Sequence, residues 1–308
     1  MRTAFLSHPC CRLHDTGDGH PENARRLYAI EDRLVASGLL DVLHQYEAPP
    51  ATDEQLLRVH TQQHLDTIAA ATPDEGYARL DPDTTVSPAS HDAARRAAGA
   101  LAKAVDLVMS GEMESAFCCV RPPGHHAESA RAMGFCLFNN VAVGAAHALA
   151  EHGLERVAIV DFDVHHGNGT EEIFIHEDRI LFCSTFEHPF YPYTPLLENT
   201  RNRISVPLAA TAGSDEFRAA VTEQWLPALE SFAPELVFVS AGFDAHRDDD
   251  MSHVSLTDGD FRWVSKRIVE VAEASAANRV VSTLEGGYER ASLARCVEAH
   301  LRVLMRLS

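Results

Sequence analysis

The sequence predicts a single three-layer α/β domain over residues 1–308, in which helices cover both faces of a central parallel sheet. Three observations predict this fold class. Short apolar runs such as residues 157–160 lack polar alternation, which is typical of parallel strands buried on both faces. Helical patterns separate these runs along the chain. No repeat, linker or low-complexity segment divides the sequence, so one domain is expected.

In the first half of the chain, strands are predicted over residues 3–7, 40–45 and 116–120. A helix over residues 24–37 carries apolar residues on one face and ends at Gly38. Helix starts are predicted at three residues with capping side chains: Thr52, Thr61 and Ser90. The helix that begins at Ser90 is Ala-rich and runs to about residue 110. Residues 72–89 are rich in Pro, Asp, Thr and Ser, and a loop is expected there.

In the second half, strands are predicted over residues 157–160, 180–184, 236–240 and 279–284. Helices are predicted over residues 139–152, over a short segment ending at Phe174, over 214–233, and from Thr257 onward. Residues 185–203 show neither a helical nor a strand period. A long aperiodic loop in a compact domain is usually functional, and we expect this segment to lie near the site.

Composition indicates a globular protein, with 45% apolar and 23% charged residues. The formal charge of −19 argues against nucleic-acid binding, because phosphate contacts need a basic surface. No apolar run approaches the roughly 20 residues of a membrane span, and no signal segment is evident, so no membrane partner and a cytoplasmic location are expected. The seven cysteines are interpreted as small apolar residues without disulfides. The oligomeric state stays open.

Polar side chains follow the strand over residues 157–160 at the point where the strand ends. Asp161, Asp163, His165 and His166 come directly after it, followed by the turn residues 167–169. In an open α/β sheet, the carboxyl ends of the strands face the ligand crevice. Asp163 and His165 are two positions apart, so their side chains project to the same side of an extended backbone. This pair could supply half of a metal site; an acidic loop that only caps the strand is the alternative.

Three other segments also follow strand-like runs: Arg-Pro-Pro-Gly-His-His-Ala at 121–127, Ser-Ala-Gly-Phe-Asp-Ala-His at 240–246 and Leu-Glu-Gly-Gly-Tyr at 284–288. Together with residues 161–170, and in this order, they resemble the zinc-dependent histone deacetylase family and its acetylpolyamine and bacterial amidohydrolase relatives. The resemblance extends from His20 to the C-terminal helix and implies an arginase/deacetylase-like fold. Asn168 resembles the class II branch, because other branches usually have Asp there.

The resemblance implies two metal sites. A catalytic zinc ion takes three protein ligands and leaves a position for water and substrate. By resemblance these ligands are Asp163, His165 and Asp244, whereas His166 and His246 are expected outside the ligand set. The family also carries a structural monovalent cation, usually potassium, and the matching residues here are Asp161, Asp163, His165, Ser184 and Thr185.

The resemblance also implies the residues that move protons. Amide hydrolysis needs a base to activate water and an acid to protonate the leaving amine, and His125 and His126 match these roles. Asp161 is implied as the partner of His125, and Asn168 as that of His126. Because Asn cannot neutralise an imidazolium as Asp would, we expect His126 to be less basic than in branches with Asp. Tyr288 is implied as a hydrogen-bond donor to the developing oxyanion.

A narrow substrate channel is implied by Gly134, Phe135 and Tyr191. Met251 stands where relatives specialised for acetylated polyamines can carry Glu, so lysine-like acyl amines are favoured over polyamines. An aspartate of residues 248–250, aimed inward, is the alternative source of negative charge at the channel mouth. An exposed pair between such a carboxylate and an ammonium would be worth only up to about 1 kcal/mol.

The expected function is therefore zinc-dependent hydrolysis of an N-acyl amide, most often N-acetyl, of lysine or of a similar small primary amine. The alternatives are an acetylpolyamine amidohydrolase, an arginase-like ureohydrolase with two manganese ions, and an inactive binding scaffold. The two-manganese site needs further bridging ligands, and residues 240–244 offer one carboxylate. His60 and His64 lie four residues apart on a predicted helix; without a carboxylate partner they are interpreted as surface histidines.

Overall fold

The computed structural model describes residues 2–307. Within them, eight strands pair in parallel into one sheet, which confirms the predicted fold class. The strands are β1 (Thr3–Ser7), β2 (His44–Glu47), β3 (Ala78–Arg79), β4 (Thr85–Val86), β5 (Ser115–Cys118), β6 (Val157–Asp161), β7 (Ile180–Glu187), β8 (Arg203–Leu208), β9 (Leu236–Ala241) and β10 (Val280–Leu284). The sheet order is β2-β1-β5-β10-β9-β6-β7-β8, and β3 pairs with β4 separately.

Helices pack against the sheet and are joined to it by mostly short turns. They are α1 (Cys10–Leu13), α2 (Arg25–Ala36), α3 (Asp53–Leu57), α4 (Gln62–Ala71), α5 (Ser90–Met109), α6 (Asn140–Glu151), α7 (Asn168–Phe174), α8 (Ser214–Ala220), α9 (Leu226–Phe232), α10 (Asp258–Ser275) and α11 (Arg290–Leu304). Every residue of the central strands β5, β6, β9 and β10 is buried. Their apolar runs therefore lack alternation because both faces of the sheet are covered.

The two edge strands differ from the prediction. The strand expected over residues 40–45 lies at His44–Glu47, and the strand β8 was not predicted. An edge strand has one unpaired side, so it tolerates polar residues and Pro207 and loses the apolar run that marks a central strand. Two smaller differences concern segments that were predicted as loops. The strand β7 continues to Glu187, and the predicted loop 72–89 contains the short antiparallel pair of β3 and β4.

The helix predicted over residues 214–233 is interrupted. A π-helical turn over Val221–Trp225 separates α8 from α9. Pro227 follows this turn and has no N–H to donate to the preceding turn, so the regular hydrogen-bond ladder is not continuous here. The predicted cap at Thr52 is present, with the Gln55 N–H donating to Thr52 Oγ1 at 3.2 Å.

The interpretation of His60 and His64 as surface residues is wrong. Both side chains are buried, and their rings stack with centroids 4.7 Å apart. His60 Nε2 accepts a hydrogen bond from the Asn139 N–H at 2.9 Å, and His64 Nε2 donates to the Leu137 carbonyl at 2.8 Å. Burial and the neighbouring His64 lower the pKa of His60 to about 3. His60, just before α4, and His64, in its first turn, therefore bind backbone groups of the segment before α6.

Two expectations drawn from composition, on the cysteines and on membrane-spanning helices, can be compared with the structure. Each of the seven cysteines is a free, buried thiol. Among residues 2–307, no helix is both long and apolar enough to cross a membrane.

Candidate active site

The sheet brings the predicted site segments together at its centre. The strands β5, β10, β9 and β6 are consecutive neighbours, and each is followed by one of the motifs singled out in the sequence. Because all four strands are parallel, their carboxyl ends meet at the same edge of the sheet. Residues that are more than 160 positions apart in sequence, such as His125 and Tyr288, therefore line one cavity.

The predicted metal ligands form a buried cluster. Their donor atoms all lie within 4.8 Å of one another, and His165 Nδ1 is 3.1 Å from both Asp163 Oδ1 and Asp244 Oδ2. The other carboxylate oxygens are held by backbone groups: Asp163 Oδ2 accepts from the Gly286 N–H at 2.8 Å, and Asp244 Oδ1 accepts from the Val164 N–H at 3.0 Å. The carboxylates are thus oriented with one oxygen each toward the imidazole.

The electrostatics of this cluster favour a positive charge between the two carboxylates. Burial disfavours a charged His165, but hydrogen bonds and charges from Asp163 and Asp244 outweigh it and raise the pKa of His165 to about 10. Burial and the charge of Asp163 raise the pKa of Asp244 to about 6. One imidazole nitrogen and two carboxylate oxygens, converging in a buried position, are a ligand set that catalytic zinc takes. The residues present therefore fit a divalent metal ion.

The two adjacent histidines have different partners. His125 Nδ1 lies 3.0 Å from Asp161 Oδ2, and His126 Nδ1 lies 2.8 Å from Asn168 Oδ1, with the two rings 4.0 Å apart. Asn168 Nδ2 donates to Glu128 Oε1 at 2.9 Å, so the amide oxygen faces His126. His126 therefore carries its proton on Nδ1, and Nε2 is the acceptor.

These partners push the two pKa values apart. Burial opposes charge on His125, but the charges of Asp163 and Asp161 outweigh it and raise the pKa of His125 to about 10. Burial and the neighbouring His125 and His165 lower the pKa of His126 well below its usual value. Two neighbouring titratable groups whose pKa values are shifted in opposite directions are typical of an acid–base site.

The cavity above the cluster has a volume of about 290 Å³. Its walls include all four residues predicted for the substrate channel: Gly134, Phe135, Tyr191 and Met251. Gly134 has a φ of +56°, and a Cβ atom there would lie 2.4 Å from His126 Cδ2, so only glycine fits. The Tyr191 ring stands perpendicular to the His126 ring at 5.2 Å. The cavity is thus narrow and aromatic, with the donor cluster at its end.

Comparisons with known proteins agree with the family resemblance seen in the sequence. The family model described as "Histone deacetylase domain" matches residues 20–304. The chain belongs to the histone deacetylase family. It is 38% identical over 319 residues to the "Histone deacetylase-like amidohydrolase" of Pseudomonas aeruginosa, covering 96% of this chain and 84% of that relative. It is 34% identical to a "Probable deacetylase" of Archaeoglobus fulgidus, covering 94% of this chain and 82% of that protein.

Among solved structures, the crystal structure of the HDA15 HD domain has a TM-score of 0.93 and 33% identity. It covers 100% of this chain and 90% of that one. These findings confirm the resemblance seen in the sequence. They support a hydrolase that removes acyl groups from amides, as expected of a deacetylase or amidohydrolase.

The deacetylase site also uses acids that sequence reasoning did not assign. Glu285 Oε2 accepts hydrogen bonds from the Gly124 N–H at 2.7 Å and the His125 N–H at 3.2 Å. Asp249 accepts from the backbone N–H groups of Tyr288 and Glu289. Glu285 lies in the Leu-Glu-Gly-Gly-Tyr segment at 284–288, but no local sequence pattern predicted which backbone N–H groups it would bind. These carboxylates hold the backbone that carries the candidate catalytic side chains His125 and Tyr288.

A further carboxylate lies at the channel itself. Asp83 lines the cavity beside Tyr191, although it comes from the predicted loop 72–89. By contrast, Asp248 pairs with Arg295 at 3.3 Å, and Asp249 is occupied by backbone N–H groups. Neither of these two residues provides the inward charge that the alternative for residues 248–250 required.

The remaining predicted site residues lie in β7 or pack against it. Ser184 lies opposite Asp161 in the pairing of β6 with β7, and its buried Oγ has no hydrogen-bond partner among residues 2–307. Thr185, next to it, is also buried. His166 turns away from the metal ligands: its ring packs on Phe186 at 4.3 Å. The unpartnered hydroxyl of Ser184 fits a cation ligand beside Asp161.

Proposed function

We propose that this protein is a zinc-dependent deacetylase that hydrolyses the N-acyl amide, most often N-acetyl, of lysine in a peptide or protein, or of a similar small primary amine. The observation that carries the proposal is the convergence of Asp163, His165 and Asp244 at the end of a narrow aromatic cavity. When bound, Zn²⁺ would polarise the acyl carbonyl oxygen and lower the pKa of the attacking water.

The two histidines would move the protons. His126 is neutral, and its Nε2 is an acceptor, so it takes a proton from the attacking water. His125 is held by Asp161 in the charged form, which favours negative charge developing nearby. The departing amine needs a proton, and this imidazole pair supplies it.

Tyr288 would stabilise the oxyanion. It lines the cavity, and burial together with the charge of Asp244 raises the pKa of its phenol well above the usual value. The phenol therefore keeps its proton and can donate it in a hydrogen bond to the acyl oxygen as negative charge develops. Its backbone is fixed by Asp249, and the Arg26 guanidinium lies 4.9 Å from the centre of its ring.

The shape of the channel favours an acyl-lysine. Phe135 and Tyr191 form walls that suit an aliphatic stem, and the neutral Met251 offers no charge to a distal ammonium. One observation favours the second candidate, an acetylpolyamine amidohydrolase: the carboxylate of Asp83 lines the same cavity. A distal ammonium could pair with it, although the gain for a partly exposed pair is small.

A substrate panel separates these candidates. Zinc-loaded protein is assayed with acetyl-lysine peptides, longer acyl-lysine peptides, acetylated polyamines and small acetylated amines. We expect the highest kcat/KM with an acyl-lysine peptide. A much higher kcat/KM for acetylputrescine or acetylspermidine than for every peptide would establish the second candidate instead.

The metal assignment is tested by Asp244→Ala. The variant should lose the catalytic ion and the activity, because two ligands remain. Asp250→Ala is the matched control, since Asp250 is exposed and holds nothing in the site. Turnover of metal-free wild type should be restored by zinc, with one ion bound at this site. Turnover that requires two manganese ions would overturn the assignment in favour of a ureohydrolase-like site.

We also propose a structural potassium ion beside Asp161, held by Asp161, Asp163, His165, Ser184 and Thr185. The unpartnered Ser184 Oγ supports it. Potassium, compared with choline at equal ionic strength, should raise the unfolding temperature of wild type, and this rise should shrink in Ser184→Ala. Equal unfolding temperatures in the two salts for wild type would contradict the proposal.

A further inference from the structure

A second group of metal-binding side chains lies outside the catalytic cavity. His246 is in the turn after β9, Asp258 is the first residue of α10, and Cys296 is in α11. Their donor atoms all lie within 4.8 Å of one another. His246 Nε2 is 3.8 Å from Asp258 Oδ2, and Cys296 Sγ is 3.4 Å from Asp258 Oδ1. With metal–ligand bonds of about 2.0–2.3 Å, tetrahedral ligands lie roughly 3.3–3.8 Å apart, so the distance between His246 Nε2 and Asp258 Oδ2 suits one shared ion, and the Cys296 thiol lies beside the same carboxylate.

An unsatisfied nitrogen points to a missing ligand. His246 is 1% exposed, and its buried Nε2 has no hydrogen-bond partner in the described residues 2–307. Buried polar atoms are nearly always paired, so each exception needs an explanation. The nearest candidates are the Asp258 carboxylate, which lies beyond hydrogen-bond distance, and Cys296, which is itself completely buried. An ion between them would satisfy the nitrogen.

We infer that His246, Asp258 and Cys296 bind a divalent transition-metal ion of the Zn²⁺ type. A thiolate, an imidazole and a carboxylate together select zinc over magnesium, calcium or potassium, which prefer oxygen ligands. Binding breaks the S–H bond of Cys296 and forms a metal–sulfur bond, and the proton passes to solvent. A solvent molecule would occupy the fourth position, since the Asp258 side chain is 45% exposed.

Neighbouring residues can support the bound state. Arg295 Nε donates to Asp258 Oδ1 at 3.1 Å, which leaves Oδ2 for the ion. His246 Nδ1 accepts from the Asp248 N–H at 3.1 Å and lies 3.6 Å from Asp248 Oδ2. An ion on Nε2 requires the ring proton to move from Nε2 to Nδ1, which breaks the hydrogen bond from the Asp248 N–H; a turn of the Asp248 side chain then lets Oδ2 accept the Nδ1 proton. Such a carboxylate behind a metal-bound histidine is common.

The ion would brace the loop that follows Asp244. It would link the start of this loop, at His246, to α10 and α11. The segment that carries Asp249 and Met251 lies in the sequence between His246 and the start of α10. Asp249 holds the backbone of Tyr288, so the metal would stabilise the mouth of the channel without touching the substrate.

Cobalt distinguishes the two metal sites by their ligands. The catalytic set contains no sulfur, so only the second site can give a thiolate-to-cobalt charge-transfer absorption in the near ultraviolet. Metal-free wild type, titrated with Co²⁺, should show this absorption, and zinc-loaded wild type should contain two ions per chain. Cys296→Ala and His246→Gln should each bind one ion fewer and lose the absorption. Zinc should also raise the unfolding temperature of Cys296→Ala less than that of wild type.

Cys118→Ala is the matched control, because it also removes a completely buried thiol but lies in β5, away from the cluster. It should keep both ions and the absorption. Asp248→Asn should weaken the second site 10- to 100-fold and leave the first unchanged. The inference is overturned if wild type shows no sulfur-to-cobalt absorption with two equivalents of Co²⁺, or if the absorption persists in Cys296→Ala. Either result leaves the catalytic assignment intact, since one ion suffices there for turnover.

Discussion

Tyr288 is the residue whose role depends on a single hydroxyl group. Tyr288→Phe removes the proposed donor to the oxyanion, so we expect kcat to fall about 100- to 1000-fold, while folding and metal content stay unchanged. Steady-state kinetics with an acetyl-lysine peptide measures this. Tyr77→Phe is the control, because it loses a phenol hydrogen bond to Asp15 on the surface. Wild-type rates in Tyr288→Phe would exclude the role.

Asn168 contributes to the basicity of the proposed base through its hydrogen bond with His126 Nδ1. In Asn168→Asp, the new charge would raise the pKa of His126, and a base must be deprotonated to act. We therefore expect the acid limb of the kcat/KM profile against pH to move to higher pH. Asn278→Asp adds the same charge far from the site and should leave the limb in place. An unshifted limb in Asn168→Asp would mean that His126 is not the base.

The sequence predicted the candidate metal ligands better than the residues that support the site. Asp163 and His165 could be predicted because strand alternation is a local rule that fixes the side to which each side chain points. Asp249 was not, because it sits in a run of three aspartates and only tertiary contacts distinguish it from its neighbours. Asp83 comes from a loop without any period, and its place at the cavity depends on the packing of a distant segment.

The helix α5 approaches its neighbours unusually closely at one glycine. A Cβ atom on Gly99 would lie 2.1 Å from the Pro49 carbonyl oxygen and 2.6 Å from the Ala51 nitrogen, which are backbone atoms that cannot step aside. Gly99→Ala should therefore destabilise the protein by about 1–3 kcal/mol, although Ala favours helices. Urea unfolding measures the difference.

Gly259 in α10 provides the matched control for this substitution. Its nearest neighbour to a new Cβ is Thr257 Oγ1 at 3.4 Å, an ordinary contact. Gly259→Ala should be neutral or stabilise by up to about 1 kcal/mol, because it restricts the unfolded chain. Equal effects of the two substitutions would show that helix propensity, rather than close packing, decides the stability at Gly99.

Prediction of the elements succeeded where burial was complete and failed at the edges. Val157–Asp161 and Leu236–Ala241 lie in the middle of the sheet, so burial on both faces made their sequences continuous and apolar. Arg203–Leu208 lies at the edge, where solvent removes that constraint. The helix break before Pro227 could not be predicted either, because a π turn leaves the helical sequence pattern unchanged on both sides of it.

The stability of the whole molecule should depend on three buried histidines. Burial is the main cause that lowers the pKa of His14 to about 4 and those of His60 and His300 to about 3. Below pH 6.5 the unfolded chain binds protons at these residues and the folded chain does not. The contribution of these three histidines to stability is therefore fully present above pH 6.5 and falls as the pH decreases, by about 1.4 kcal/mol per unit for each histidine.

Urea unfolding of metal-free protein at pH 7.5, 6 and 5 tests this expectation. The free energy of unfolding should decrease steeply between the last two values. His300 bonds only to the hydroxyls of Ser265 and Ser282, and His300→Gln should reduce the slope by one proton. Equal slopes in His300→Gln and in wild type would show that the His300 ring takes up a proton in the folded protein as readily as in the unfolded chain.

The strand β10 is inserted between β5 and β9, although it is the last strand in the chain. A growing polypeptide that has not yet delivered residues 280–288 therefore has a divided sheet, with the histidine pair on one side of the gap and the metal ligands on the other. Such a chain also lacks the Gly286 N–H that holds Asp163. The histidine pair and the candidate metal ligands can therefore come together as one site only after β10 has paired with both β5 and β9.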